Sequence, residues 1–179
     1  MLSIGILLSQ CKSKQPKAPS DEKEVTIPCS GSDYFTNGKV FRANAIGESS
    51  DQMTAKKKAL TNARAQLAES LQTTVKTVTD NYLNSREFNN KEELEERFET
   101  LNREVVNQKL QGVKVICETQ TKTKEGRYKT YLAIELDGDE LVSEYNERLS
   151  DDERLQIDYD YEKFKKTFEE EMSKFKGGN

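Results

Sequence analysis

Between Ser50 and about Asn84 the apolar residues keep helical time for longer than anywhere else in the chain. Met53, Leu60, Ala63, Leu67, Leu71, Val75, Val78 and Tyr82 fall on one stripe of an amphipathic helix. Ala55 and Ala59 flank that stripe together with Ala63. Small side chains beside leucines and valines let a backbone come close to a flat partner, which is how a helix lies on a β-sheet. Ser49 and Ser50, with Gln52 three residues after Ser49, predict a capping box at the helix start.

The segments around this helix supply the sheet. Lys39 to Glu48 alternates loosely, with Phe41, Ala43 and Ala45 on one side and Val40, Arg42 and Ile46 on the other, and predicts a strand. Asn90 followed by Glu93 opens a second helix carrying Leu94, Phe98, Leu101, Val105 and Leu110. The outer face of that helix, EELEERFE, reads as a solvated surface. Val113 to Thr121 predicts a strand with Val113, Val115, Cys117 and Thr119 on one side. Lys122 to Gly126 turns the chain, and Arg127 to Leu136 returns with Tyr128, Thr130, Leu132, Ile134 and Leu136 alternating, so the two form a hairpin. Glu140 to Leu149 predicts a short helix, and Ser150 with Glu153 caps a last one. The expected fold is α+β: a small antiparallel sheet packed on one long amphipathic helix, with additional C-terminal helices.

The last helix carries Ile157, Tyr161, Phe164, Phe168, Met172 and Phe175 on one stripe and stops at Gly177 and Gly178. Packing on the domain or onto a short self-association seam fits this stripe better than a membrane surface, because acids dominate its polar face. Tyr161, Phe164, Phe168 and Phe175 carry more aromatic surface than a lone helix leaves in water, which makes them, with Met172, the candidate interaction residues for docking or self-association.

Composition narrows the function. At 179 residues the chain is one domain with tails. Lys and Arg number 28 against 32 Asp and Glu, and the signs mix along the whole length, which argues against a nucleic-acid partner. Histidine is absent, so Ser-His-Asp and Cys-His nucleophiles, zinc-histidine sites and imidazole bases are excluded. No metal or other cofactor is expected. Asp137, Asp139 and Glu140, like Asp151, Asp152 and Glu153, lack the spacing of a calcium loop and read as turn and cap residues. Glu118 and Glu135, on neighbouring strands, read as the wet face of a sheet and not as a glycosidase pair.

The N-terminus gives an address. Leu2 to Leu8 is an apolar run of h-region length, too short to span a bilayer, and it ends at Leu8-Ser9-Gln10-Cys11. That tetrapeptide resembles a bacterial lipobox, with Gln10 in place of the usual Gly or Ala, and it marks Cys11 for lipidation. No Lys or Arg precedes the run, which predicts a true start upstream of Met1. The expected organisation is a signal peptide at 1–10, a lipidated, proline-containing tether at 11–26, an α+β domain at 27–149 and a C-terminal amphipathic helix at 150–179.

With the lipobox, the tether, IPCSG, FRANAIGESSDQMTAKKKALTNARAQLAESL and VICETQTKTKEGRYKTYLAIEL in view, the chain resembles the bacterial twenty-kilodalton lipoprotein family, the LPP-twenty type, in the version associated with Bacteroidetes-like bacteria. The resemblance runs from roughly Ile27 to Leu149, and its signatures at Arg42, Ala43, Gly47 and the AKKKALTNARAQLA helix are packing signals. It implies an α+β domain shaped like the N-terminal part of a flagellar ring protein, held by lipid at the outer membrane and facing the periplasm.

Two functions of different class follow. One is a non-enzymatic lipid-anchored module that binds envelope proteins or itself; the other is an envelope module binding a small ligand or glycan in a cavity walled by aromatics such as Tyr128 and Tyr131. The first is favoured. With Cys11 taken by lipid, Cys29 and Cys117 are the two thiols left, and in an oxidising compartment they are expected to form a disulfide from an inward-facing strand position to the entry of the domain.

Overall fold

The computed structural model describes residues 25–85, 87, 91–152 and 159–175. Among them the chain runs β1 (Val40–Ser49), α1 (Gln52–Asn84), α2 (Lys91–Lys109), β2 (Lys114–Lys122), β3 (Tyr128–Asp137), α3 (Gly138–Asp151) and α4 (Tyr161–Met172), after a 3₁₀ turn at Ser32–Tyr34. The strands form an antiparallel sheet in the order β1-β3-β2. The architecture is the expected one, a small antiparallel sheet on a long helix.

The 33-residue α1 starts two residues later than a capping box at Ser49 predicts. Ser49 is the last residue of β1, and the cap is Asp51, whose carboxylate accepts the Thr54 amide at 2.7 Å. An acidic side chain at this position satisfies an orphan amide and meets the positive end of the helix dipole. The Thr54 contacts hold the Asp51 carboxyl below its usual range.

The face that α1 buries follows the expected stripe from Ala63 to Tyr82 and departs from it at its start. Ala55, Ala59, Ala63, Leu67, Leu71, Val75, Val78 and Tyr82 are buried, whereas Met53 is 61% exposed and Leu60 only half-buried. The alanines are therefore the stripe itself and not its flank. Opposite them stand Gly47 and the small side chains of Ala45 and Ala43 in β1. A Cβ built on Gly47 would lie 2.2 Å from the Ala55 carbonyl oxygen and 2.4 Å from the Ala59 nitrogen. Only the absence of a side chain lets the strand touch the helix backbone there.

At about 1.5 Å per residue α1 is roughly 50 Å long, while a ten-residue strand reaches about 33 Å. The second half of α1 therefore needs cover that the sheet does not give. α2 and α4 provide it: Leu94, Phe98, Val105 and Val106 of α2 and Phe164, Phe168 and Met172 of α4 join one core with Leu67 to Leu83 of α1 and with Phe41, Leu132, Ile134 and Leu136 of the sheet. A single core thus spans Phe41 to Met172, and α4 belongs to it together with the sheet and α1.

Gly47→Ala is expected to lower stability by about 3 kcal/mol, because the new methyl meets backbone on both sides and no rotamer relieves it. Urea unfolding of the variant and parent measures this; a loss under about 1 kcal/mol would mean that α1 shifts on the sheet at little cost.

Candidate functional site

The register divides the sheet into two faces. Ala43, Ala45 and Gly47 alternate with Arg42, Asn44 and Ile46 along β1, and β3 aligns Ile134, Leu132 and Thr130 with the first set and Glu135, Ala133 and Tyr131 with the second. The first set faces α1. The second faces away, and it is here that the entry of the folded chain is fastened.

Cys29 and Cys117 form a disulfide, with their Cα atoms 5.5 Å apart. Cys117 is level with Ala133 and Asn44, so it lies on the face away from α1, not the inward position expected for it. The reason is a bulge between Val115 and Cys117, where Ile116 is extra and flips the alternation. Val115, level with Ile134, and Cys117 consequently occupy opposite faces, although Thr119 does share the face of Cys117. The bond holds Cys29 in the left-handed backbone region, with φ at +55°. Past it, the Thr36 hydroxyl bridges both backbone groups of Arg42, at 3.0 and 3.1 Å. The segment thereby shelters Ala133, which is fully buried on a face where no helix packs among the described residues. Beside it Arg42 and Glu135 form an ion pair at 2.7 Å.

The candidate interaction stripe points elsewhere. Phe164, Phe168 and Met172 are buried in the core, and Tyr161 and Phe175 are half-buried against it. Phe164 packs edge-on to Tyr82 at 5.5 Å and beside Tyr145 at 5.7 Å, while Phe168 and Phe175 each lie 6.3 Å from Phe41. The Tyr82 hydroxyl accepts the Asp160 amide at 2.8 Å, which ties the start of α4 to α1. With α4 seated, Phe164, Phe168 and Met172 of the stripe are spent inside the fold. Ile157 lies outside the described residues, as does Cys11.

The carboxylates have structural partners. Asp137 caps α3 by accepting the Asp139 amide at 2.8 Å, and Asp152 pairs with Arg97. Glu118 faces α1 and meets Lys56 at 2.8 Å, whereas Glu135 is on the other face, so the two cannot act on one bond. Glu144 clasps α3 to α2. Burial pushes its carboxyl up, but hydrogen bonds from Arg148 and Lys109 outweigh that and leave it below its usual range. No group of three metal-ligating side chains occurs among the described residues. Tyr128 and Tyr131, three apart in β3, fall on opposite faces and do not wall one cavity. An open groove of about 1070 Å³ does run between α1 and α2, lined by Asp80, Glu92, Glu95, Glu96 and Glu99 with Lys76 and Arg103. The pairs Lys76–Asp80 and Arg103–Glu99 lie within single helices, as on the solvated face expected from EELEERFE.

The sequence pattern did not single out the free edge of the sheet. β1 is covered along its outer side by Asn37, Thr36, Asn62 and Lys58, whereas β2 has no such cover among the described residues. The one signal in the sequence is that β2 is the most polar of the three strands.

No protein-family model matches the chain, and neither does any curated protein.

Two outcomes are expected. Reducing the Cys29–Cys117 bond, which closes a loop of 88 residues, removes on the order of 4–5 kcal/mol by loop entropy. A melting temperature unchanged by reductant, with both thiols shown to be free, would contradict it. The Tyr145 hydroxyl is buried without a hydrogen-bond partner, and burial drives its pKa up. Tyr145→Phe is therefore expected to be neutral or to stabilise by up to about 1 kcal/mol, and a clear loss in chemical denaturation would reveal a bond to that hydroxyl.

Proposed function

We propose that this chain is a lipid-anchored, non-enzymatic lipoprotein of the bacterial envelope, of the twenty-kilodalton type, acting as a structural or protein-interaction module on the periplasmic side of the outer membrane. The observation that carries the reading is the pairing of the cysteines. The chain has three, and two of them, Cys29 and Cys117, are bonded to each other in the fold. A disulfide of this kind persists in an oxidising compartment such as the periplasm. The cysteine left over is Cys11, which stands where an apolar run of secretory length ends.

The tether fits the same reading. Residues Lys12 to Glu24 hold two prolines and mixed charge, the composition of a solvated spacer between a lipid and a domain. At up to about 3.3 Å per residue such a spacer carries a domain some tens of ångströms from the bilayer surface. Glu118, Glu135, Asp137, Glu140 and Asp152 are taken up in caps and ion pairs, which supports an interaction module over an enzyme. The alternative, a small-ligand or glycan site, loses its proposed walls because Tyr128 and Tyr131 diverge.

Cys11→Ala is expected to abolish incorporation of labelled fatty acid and to release the protein into the soluble periplasmic fraction. Unchanged detergent partitioning of the variant would overturn the lipid anchor and with it the membrane address.

A further inference from the structure

We infer that the free edge of β2 pairs antiparallel with β2 of a second copy of this chain, about a two-fold axis at Gln120, joining two three-stranded sheets into one. The first observation is the difference between the two edges. Along β1 the Val40 backbone is met by Asn37, Arg42 by Thr36, the Ile46 carbonyl by Asn62 and the Glu48 carbonyl by Lys58. The outward backbone groups of β2 have no partner among the described residues. An unprotected edge of nine residues is a template for strand addition.

The second observation says what adds there. The end of β2 reads Glu118-Thr119-Gln120-Thr121-Lys122, which is complementary to itself when reversed. Centred on Gln120, Glu118 of each copy stands opposite Lys122 of the other, Thr119 opposite Thr121, and Gln120 opposite itself. Glu118 and Lys122 are level with Leu132 and Tyr128 of β3, so both project from the α1 side and meet across the axis. Full overlap, centred on Glu118, instead sets Lys114 against Lys122 twice and Glu118 against itself. Centring on Ile116 restores opposite charges between Lys114 and Glu118, but the ladder then crosses the bulge at Val115 and Cys117. Of these three registers, the charges and the bulge favour the one centred on Gln120. A two-fold contact of this kind is isologous, each copy supplying the same strand. The pairing rests on the sheet alone and stands apart from the lipid reading. It also places self-association on β2, where the edge is open, and not on α4, where the aromatics are buried.

The test uses the full chain carrying Cys11→Ala, exported so that Cys29 and Cys117 bond, and reads mass by sedimentation across the micromolar range. The parent is expected to double its mass with concentration. Glu118→Lys and Lys122→Glu each turn two attractive pairs into repulsive ones and should weaken the dimer by about tenfold or more. An equimolar mixture of the two restores both pairs and should dimerise, as should the double variant Glu118→Lys/Lys122→Glu on its own. Circular dichroism melting checks that each variant folds, and the double variant decides the matter where a single one does not fold. A parent that stays monomeric, single variants that keep the parent's dimer, or a folded double variant that stays monomeric would each overturn the pairing.

Discussion

The contact of Gly47 with the backbone of Ala55 and Ala59 governs how closely the sheet can lie on α1. A helix normally rides on a sheet at a distance set by its side chains, and here one turn of α1 meets a strand with no side chain between them. The alanine ridge continues the approach past Ala43 and Ala45 to Ala63. Larger groups then fill the space as the surfaces diverge: Phe41 and Leu136 at one end of the sheet, Leu67 and Leu71 beyond it on the helix. Because interiors are packed at near-crystal density, widening the pinch at Gly47 would loosen contacts well away from it.

The excess length of α1 accounts for the rest of the core. A helix that outruns its sheet exposes a stripe of Val75, Val78, Tyr82 and Leu83, which is far too apolar to remain in water. The aromatic stripe of α4 is shaped to meet that demand, and Tyr82, Phe98, Tyr145, Tyr159 and Phe164 form a ring cluster with centroids about 5.5 to 6.5 Å apart. Edge-to-face pairs at these distances add a modest attraction to the burial itself. Two of the hydroxyls brought in with the rings, those of Tyr145 and Tyr159, are left without hydrogen bonds, so the cluster keeps its shape against a desolvation cost.

Much of this was legible in the residues and some was not, for reasons that are physical. Strand alternation in Tyr128 to Leu136 and helical spacing in α1, α2 and α4 are local properties and place these elements, although Ser150, expected to cap α4, lies inside α3 and Asp160 caps α4 instead. The stripe departs from its hydrophobic reading only at the start of α1, because hydrophobicity ranks Met53 and Leu60 above alanine, while the tight approach to Gly47 selects for smallness. The side on which Cys117 lies could not be read at all, since one extra residue at the bulge inverts the alternation and carries no signature of its own. The partner of the α4 stripe was equally hidden. An amphipathic helix announces that it must be covered, but only the length mismatch between α1 and β1, a tertiary quantity, decides that the cover is intramolecular. The cysteine pairing was legible because it follows from counting thiols and from compartment, neither of which depends on the fold.

The far face of the sheet poses a different problem, and its solution bears on both edges. Among the described residues no second helical layer lies there, yet Ala133 is kept dry and the strands are held in register. The entry segment does this with a covalent bond at Cys29 and hydrogen bonds from Thr36 in place of apolar area. Because the segment then runs along β1 from Thr36 to the start of the strand, it closes that edge as a by-product. It meets β2 through Cys117 from the far face, and among the described residues it gives the β2 backbone no hydrogen bonds. The asymmetry of the edges is thus a consequence of which strand the disulfide reaches from which direction. Lysines at Lys114 and Lys122 are the usual guard against indiscriminate pairing at such an edge. Placed four residues to either side of Glu118, they oppose full overlap while leaving the staggered register favourable, so the same charges that discourage aggregation confer selectivity on strand addition.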